Sequence, residues 1–221
     1  MPLAGCAGDP EPADLAQAIR EGDFTAALAA ARTLQAQRRD TPELRLVIGA
    51  MQFGLHRFGE ARSAFASADG AGTYLLSDAS VDTDDALLRT EIAQGDWLHL
   101  SALRSGDSIA GLPMADPVER VLGGAWDPER YIREKAAWAR QMFDASMLSV
   151  TTSSGRDAML ADLGDGQAPT FRCTGYFLAG EMALARQDRA AAQKHLAVAA
   201  KRELPLLEFY LARAELAQLT A

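Results

Sequence analysis

The three histidines and two cysteines of this sequence are the first candidates for binding a transition metal or acting as a nucleophile. His56, His99 and His195 lie far apart, and no pair has the i, i+4 spacing by which two histidines on one helix bind zinc. Cys6 and Cys173 are too far apart for a disulfide framework or a metal-ligand motif. We therefore expect no metal site and no cofactor, and we expect the histidines and Cys173 to be surface or packing residues.

Acidic residues and glycine-containing segments are the remaining candidate motifs. Six acidic residues lie between positions 78 and 96, but they lack the alternating ligands and the late glutamate of a calcium loop. Gly123-Gly124 and residues 164–166 neither follow a predicted strand nor carry the pattern of a phosphate loop. Residues 153–155 lack the strand-to-helix setting of a catalytic serine. These segments are typical of loops and helix ends, so the sequence predicts no catalytic residue.

The segment Leu3-Ala4-Gly5-Cys6 has small residues directly before a cysteine. Either it is an accident of a chain terminus, or it marks a processing site that ties the protein to a membrane. A secretory signal has a charged segment and about 7–15 apolar residues ahead of its cleavage site. The residues before Cys6 are too few to hold both, so lipidation of Cys6 requires further residues upstream of Met1.

The composition limits the classes of function. The 221 residues are 48% apolar and carry a formal net charge of −8. An apolar fraction of this size supports a folded core. Binding to nucleic acid or to an anionic lipid surface needs clustered Lys and Arg, and the acidic balance argues against both. No run approaches the roughly 18 to 20 apolar residues that span a bilayer, so we expect no nucleic-acid partner and no membrane-spanning helix.

The elements that position these residues are predicted to be helices. Apolar residues recur at the spacing of one helix face from Phe24 to Leu34. A shift of 34 residues places Phe58 where Phe24 stands and Ala61 where Ala27 stands. Thirty-four residues is the period of tetratricopeptide (TPR) repeats, in which one helix pair cannot bury its apolar face alone and stacks on the next.

We predict an all-α, tetratricopeptide-like α-α superhelix of stacked antiparallel helix pairs, with about ten or eleven helices and an irregular middle section. Residues 1–11 are predicted to be a flexible tether, and residues 12–221 a single helical domain. The predicted order is regular pairs over 12–68, a degenerate pair over 84–105, irregular helices over 116–163, a regular pair over 171–202 and a closing helix over 205–219. The degenerate pair is predicted because Gly95-Asp96-Trp97 repeats the turn at Gly22-Asp23-Phe24, and a loop is predicted over 69–81.

Individual residues are predicted to begin helices or to let neighbouring helices approach. Pro42 is expected to begin a helix, where its missing N–H costs little. Asp127-Pro128-Glu129 has the cap and the first-turn acid of another helix start. Gly49, Ala61 and Ala68 are predicted to be the small residues that let the two helices of a pair come close.

Residues 12–68, 97–106 and 173–216 together resemble the small bacterial tetratricopeptide-repeat lipoproteins of the NlpI type. The most specific part begins at Tyr176, which takes the bulky position of the repeat consensus. The resemblance implies a non-catalytic scaffold that binds other proteins on a curved surface. It also implies a location in the bacterial cell envelope, on its periplasmic face, with a diacylglycerol anchor on Cys6.

The resemblance further implies that side chains at fixed first-helix positions line a partner-binding groove. The matching residues are Ile19, Arg20, Leu46, Ala50, Phe53, Phe177, Glu181 and Leu184. Because most of them are apolar, we predict a groove that takes an apolar strip, such as an amphipathic helix, and not an acidic tail. Packing of the same residues against the protein's own helices is the alternative interpretation.

Two other functions stay open. The chain is alternatively a soluble cytoplasmic subunit of a larger complex, which shares the fold but lacks the anchor. The third hypothesis is an enzyme or small-ligand site within residues 106–170, although no constellation of residues there supports it. Fractionation of cells that make the natural protein or its Cys6→Ser variant distinguishes the envelope scaffold from the cytoplasmic subunit. An inward cluster of titratable side chains would favour the enzyme hypothesis.

Overall fold

The computed structural model describes residues 12–37, 40–72, 74–77, 87–107, 127–134 and 169–220. This part of the chain is mostly helical, with stacked antiparallel helix pairs in an all-α, helical-repeat-like fold. The helices are α1 (Pro12–Glu21), α2 (Phe24–Ala36), α3 (Pro42–Gly54), α4 (Phe58–Ala66), α5 (Gln94–Ser105), α6 (Pro169–Ala185), α7 (Arg189–Ala199) and α8 (Leu207–Thr220). Two short strands, β1 (Tyr74–Ser77) and β2 (Leu87–Arg89), lie between α4 and α5, and residues 128–134 are also helical.

In two of the helix pairs, α1 with α2 and α6 with α7, a short turn with a capped helix start separates the two helices. The Asp23 carboxylate accepts a hydrogen bond from the Ala26 N–H at 2.9 Å at the start of α2. The Asp188 carboxylate does the same for the Ala191 N–H at 3.0 Å at the start of α7. Each cap pairs an N–H group that the helix itself leaves unpaired, which is worth about 1 kcal/mol. The turn before α2 also contains Gly22 with a φ of 78°, a conformation that glycine adopts without steric cost.

Both helix starts predicted from proline-containing segments are confirmed. Pro42 is in the first turn of α3, and the preceding Thr41 hydroxyl accepts a hydrogen bond from the Leu44 N–H at 3.2 Å. The Asp127 carboxylate accepts from the Glu129 N–H at 3.0 Å, at the beginning of helical residues 128–134.

The close approach predicted at Gly49 is confirmed, and Gly180 makes a second one. A Cβ atom at Gly49 would lie 2.6 Å from the ring of Phe65, and one at Gly180 would lie 2.6 Å from the side chain of Leu196. Real Cβ atoms do not make such short contacts, so a side chain at either position would push the two helices apart. Gly49 therefore lets α4 pack on α3, and Gly180 lets α7 pack on α6.

Trp97 of α5 is at the centre of the core and joins three other helices. Its ring centroid is 5.6 Å from that of Phe53 in α3, 5.3 Å from that of Phe65 in α4 and 5.9 Å from that of Phe177 in α6. All four rings are buried. Aromatic pairs at these distances add to the free energy gained from burying their surface, so this cluster holds the N-terminal and C-terminal helix pairs together.

The prediction of a helix over residues 84–94 is wrong, because the structure has strand β2 there, paired antiparallel with β1. Apart from its pairing with β1, the segment from Arg89 to Ile92 hydrogen-bonds to residues at the start of α8. The Arg89 N–H donates to the Pro205 carbonyl at 3.1 Å, and the Ile92 N–H donates to the Glu208 carboxylate at 3.1 Å. These N–H groups cannot also make i to i−4 helical hydrogen bonds, so the segment stays extended.

The other half of the degenerate pair is helical, but its boundary differs from the prediction. The segment Gly95-Asp96-Trp97 is not a turn: it lies in the first turn of α5, and the Trp97 N–H donates to the Ala93 carbonyl at 3.1 Å. The loop predicted over 69–81 contains β1. Most of the irregular section predicted over 116–163 lies outside the described residues, as does the tether over 1–11.

The closing helix α8 covers the first helices of the pairs. It contacts α1, α3 and α6, as well as its neighbour α7. At Gly54 of α3 the approach is so close that a Cβ atom there would lie 2.8 Å from Leu211 of α8. β1 also contacts α1 and α3. In a stack of helical repeats, the first helices of the pairs form one face. In this protein, α8 and β1 cover that face.

Candidate functional site

The residues predicted to line a partner-binding groove lie in the interior of the protein. Leu46, Phe53, Phe177 and Glu181 are buried, so a partner on the surface of this structure does not contact them. These residues pack against the protein's own helices, as the alternative interpretation predicted. The physical reason is that α8 and β1 lie where the partner was expected. Of the remaining matching positions, Ile19 and Ala50 are buried and Leu184 is half-buried.

Two predicted site residues differ from that group. Arg20 is half-buried and its side chain hydrogen-bonds to Tyr210 of α8, so it fastens the closing helix to α1. Cys6, the predicted lipidation site, lies outside the described residues.

Four titratable side chains from four parts of the fold meet in a buried ionic cluster, formed by His56, Arg104, Glu181 and Glu215. The Arg104 guanidinium is 3.0 Å from the Glu181 carboxylate and 3.5 Å from the Glu215 carboxylate. His56 Nε2 is 2.7 Å from the same Glu215 oxygen. The side chains of Arg104, Glu181 and Glu215 are only 9%, 0% and 4% exposed, whereas that of His56 is 39% exposed. The cluster therefore runs from solvent at His56 to the interior at Glu181.

Local structure positions each member of the buried ionic cluster. His56 is in the turn between α3 and α4 with a φ of 59°, which turns its side chain toward α8. Its ring stacks on Phe58 with centroids 5.5 Å apart, and the Arg104 guanidinium lies 4.8 Å from the centroid of the same Phe58 ring. Arg104 comes from the last turn of α5, Glu181 from α6 and Glu215 from α8. The cluster thus ties the closing helix to the core.

The charges of the cluster do not balance without an additional proton. Two carboxylates face one guanidinium, so neutrality requires a proton on a carboxylate or on His56. Burial raises the pKa of Glu181 well above its usual range, the Glu215 charge raises it further, and Arg104 opposes both. The Glu181 oxygens are close to Arg104 but have no hydrogen bond of good geometry within the described part of the chain. Glu181 is therefore the carboxylate that favours its protonated form.

A second buried carboxylate, Glu208, has no cation beside it among the residues that the structure describes. One of its oxygens accepts hydrogen bonds from the Thr90 hydroxyl at 2.7 Å, the Glu91 N–H at 2.7 Å and the Ile92 N–H at 3.1 Å. Burial raises the pKa of Glu208 to about 7, although these hydrogen bonds lower it in part. These hydrogen bonds hold the segment after β2 against the start of α8. Because the pKa of Glu208 is raised, the charge of this carboxylate depends on pH near neutrality.

The remaining histidines and Cys173 have packing surroundings. His99 is buried and its Nδ1 lies 2.7 Å from the Gly95 carbonyl oxygen. His195 is half-buried beside Tyr176, and burial lowers its pKa. Burial also raises the pKa of the Cys173 thiol, which disfavours the reactive thiolate. Among the described residues, no three His, Cys, Asp or Glu side chains are grouped as metal ligands would be.

Sequence reasoning did not single out Arg104, Glu208 or Glu215. Glu208 and Glu215 are seven residues apart, so they lie on the same face of α8 two turns apart. That face is otherwise apolar, and two charged residues on an apolar helix face are a signal of buried carboxylates. Arg104, at the end of α5, carries no comparable signal.

Two surface features complete the candidate sites. A polar groove of about 410 Å³ lies between α2 and α4 over α3, and its lining includes Arg32, Gln52 and Glu60. A cleft of about 300 Å³ lies between the start of α6 and the residues that follow α7. No helix in the described ranges is long and apolar enough to cross a membrane.

Comparison of the chain with protein-family models, with curated proteins and with solved structures found no match. The site therefore has to be interpreted from its own geometry.

Proposed function

We propose that this protein is a non-catalytic scaffold that binds other proteins on a tetratricopeptide-like stack of helix pairs. The observation that carries the proposal is that the 34-residue period recurs in the packing as well as in the sequence. Ala27 and Ala61, at equivalent positions of α2 and α4, are both buried, as are the next equivalent residues, Ala31 and Phe65. Equal spacing with equal burial is what stacked helical repeats require.

The partner surface is proposed to be the polar groove between α2 and α4, because α8 covers the opposite face. Gln52 at its floor is buried; its amide N–H donates to Glu60 at 3.1 Å, while its oxygen has no hydrogen-bond partner in the described ranges. Arg32 is 3.7 Å from Glu60, and both side chains are more than half exposed. A solvated ion pair of this kind contributes little and exchanges easily. The groove thus offers the Arg32 guanidinium as a donor and the Glu60 carboxylate as an acceptor to a polar peptide segment of a partner.

The proposed location is the periplasmic face of the bacterial envelope, with Cys6 as the lipid attachment site. It is supported only by the Leu3-Ala4-Gly5-Cys6 pattern together with the repeat architecture. A soluble cytoplasmic subunit is the alternative, and it uses the same groove. An enzyme or small-ligand site within residues 106–170 is the remaining alternative, and most of that range lies outside the described residues.

Affinity capture from detergent-solubilised cells that make the natural protein tests the proposal. We expect a defined set of partner proteins with the unaltered chain and at least a severalfold loss of them with Arg32→Glu. Arg186→Glu, an equally exposed charge reversal in the turn after α6, is the matched control and should capture the same set. An empty capture with the unaltered chain would contradict the scaffold function. Release of the protein from membranes by Cys6→Ser would support the anchor, and cytoplasmic solubility of both forms would exclude it.

A further inference from the structure

The cleft between α6 and α7 combines a basic rim with an apolar floor. Its rim carries Arg172 in the first turn of α6 together with Lys201 and Arg202, which follow the end of α7. Its apolar lining includes Val198, Leu204 and the buried Cys173. None of the described residues that line the cleft is acidic.

The gathering of three cations is unusual for this chain, whose formal net charge is −8. Lys201 and Arg202 are exposed and form no ion pair with a residue of the described part. Arg172 is 3.5 Å from the exposed edge of Glu129 and stacks 5.1 Å from the Tyr176 ring, so its charge is only partly offset. Like charges around one cleft repel each other, and a bound anion would relieve that repulsion.

The helix dipole explains part of the basic rim, but it does not explain all of it. Lys201 and Arg202 lie at the carboxyl end of α7, where cations are favoured in any helix. Arg172 lies at the amino end of α6, where the same effect disfavours a cation. A cation at that position is therefore unfavourable for the helix alone, and an anionic ligand in the cleft would compensate for it.

We propose that this cleft binds a small amphiphilic anion, with a carboxylate or phosphate head at the basic rim and an apolar body over Val198 and Leu204. A volume of about 300 Å³ is at the lower end of the range of small-molecule sites. The acidic overall charge argues against a membrane surface as the ligand, because a surface needs a wide basic face, whereas one molecule needs only a local one. This site is independent of the partner groove between α2 and α4.

Binding of five probes to the full chain, measured by calorimetry and by methyl NMR of Val198 and Leu204, tests the proposal. The probes are octanoate, octyl phosphate, octanamide, acetate and inorganic phosphate. We expect saturable binding of octanoate or octyl phosphate, with shifts at both labelled methyl groups. Octanamide lacks the charge, and acetate and inorganic phosphate lack the apolar body, so each should bind at least about tenfold more weakly. The stronger of the two charged octyl probes identifies the head group.

Variants locate the binding. Lys201→Gln with Arg202→Gln should weaken octanoate or octyl phosphate about tenfold. The matched control is Arg189→Gln with Lys194→Gln, two exposed cations elsewhere on α7, and it should bind as the unaltered chain does. Val198→Phe, which fills part of the cleft, should also weaken binding, and thermal unfolding checks that each variant is folded.

Two results would overturn the proposal. The first is the absence of saturable binding of both charged octyl probes up to about 10 mM, which is far above the concentration at which a specific site fills. The second is equal loss of binding in the Lys201/Arg202 variant and in the control variant, which would mean that the probe binds through general surface charge.

Discussion

Two regions of this protein keep a glutamate carboxylate away from water, and they do so by different means. Glu181 lies in the buried ionic cluster, where Arg104 supplies a positive charge and the Glu181 oxygens form no hydrogen bond with a described residue. Glu208 has no cation beside it in the described part of the chain and instead receives three hydrogen bonds from the segment after β2. Burial raises the pKa in both cases. A buried carboxylate can thus be stabilised by an opposite charge from a distant helix or by local hydrogen-bond donors. We expect the two arrangements to respond differently to mutation and to pH.

The largest expected effect is that of removing the cation from the buried ionic cluster. Arg104→Met should lower the free energy of unfolding by about 3–5 kcal/mol at pH 7.5, because it removes the buried positive charge that the Glu215 and Glu181 side chains face. Urea denaturation measures the change. Arg62→Met is the control: its ion pair with Asp107 is 2.9 Å long but largely exposed, so its loss should cost less than about 1 kcal/mol. Equal costs for the two variants would mean that the cluster does not hold the fold together.

The next largest effect is the pH dependence that Glu208 gives to the free energy of unfolding. The folded state raises its pKa from 4.5 to about 7, so the folded protein binds this proton more tightly than the unfolded chain does. The stability contributed by this group is full below pH 4.5 and is lost as the pH rises to about 7. The shift corresponds to about 3 kcal/mol.

Glu208→Gln keeps the accepting oxygen but cannot titrate, so it isolates that contribution. We expect the unaltered protein to lose more stability than the variant between pH 5 and pH 8, measured by urea denaturation at each pH. Glu203→Gln, an exposed neighbour just before α8, is the matched control and should follow the unaltered protein. Parallel pH profiles for the Glu208 variant and the unaltered protein would contradict the raised pKa.

A smaller effect distinguishes hydrogen bonding from burial at Glu208. Thr90→Val keeps the shape of the side chain and removes one donor from the carboxylate. The cost should be about 1–2 kcal/mol at pH 8, where the carboxylate is charged, and less at pH 5. Because this hydrogen bond lowers the pKa of Glu208, the pH at which stability is lost should move upward. The pH dependence of the unfolding free energy gives both quantities. An unchanged pH profile would mean that the Glu91 and Ile92 N–H groups stabilise the Glu208 carboxylate without the Thr90 hydroxyl.

The contrast between the two regions also explains what sequence can and cannot predict in this chain. The helix pairs are encoded locally: Asp23, Asp188 and Pro42 begin helices through contacts a few residues away, and Gly49 and Gly180 record close packing. The predictions made at Pro42 and Gly49 are confirmed. Strand β2 is different, because the partners of the segment that follows it, Pro205 and Glu208, are more than a hundred residues away.

The buried ionic cluster was not predictable for the same physical reason. Its members come from four segments, and its energetics depend on burial that only the folded chain creates. The predicted groove shows the same limit. Apolar residues at first-helix positions, such as Phe53 and Phe177, indicate a surface that must be covered. They do not indicate whether a partner or the closing helix covers it.

The smallest expected effect is at the exposed edge of the buried ionic cluster. His56→Asn tolerates the φ of 59° at this turn, because asparagine adopts the left-handed conformation readily, but it loses the contact with Glu215. The cost should be about 1 kcal/mol, because a half-exposed hydrogen bond is replaced in part by water. His56→Gly, which relieves the backbone and also loses the contact, separates conformational strain from the interaction. If His56→Asn lowered the free energy of unfolding as much as Arg104→Met does, the His56–Glu215 contact at the solvent edge would be as important for stability as the Arg104 ion pairs in the interior. A cost near 1 kcal/mol would instead show that the cation inside the cluster balances its carboxylates, and that His56 chiefly links Glu215 to solvent.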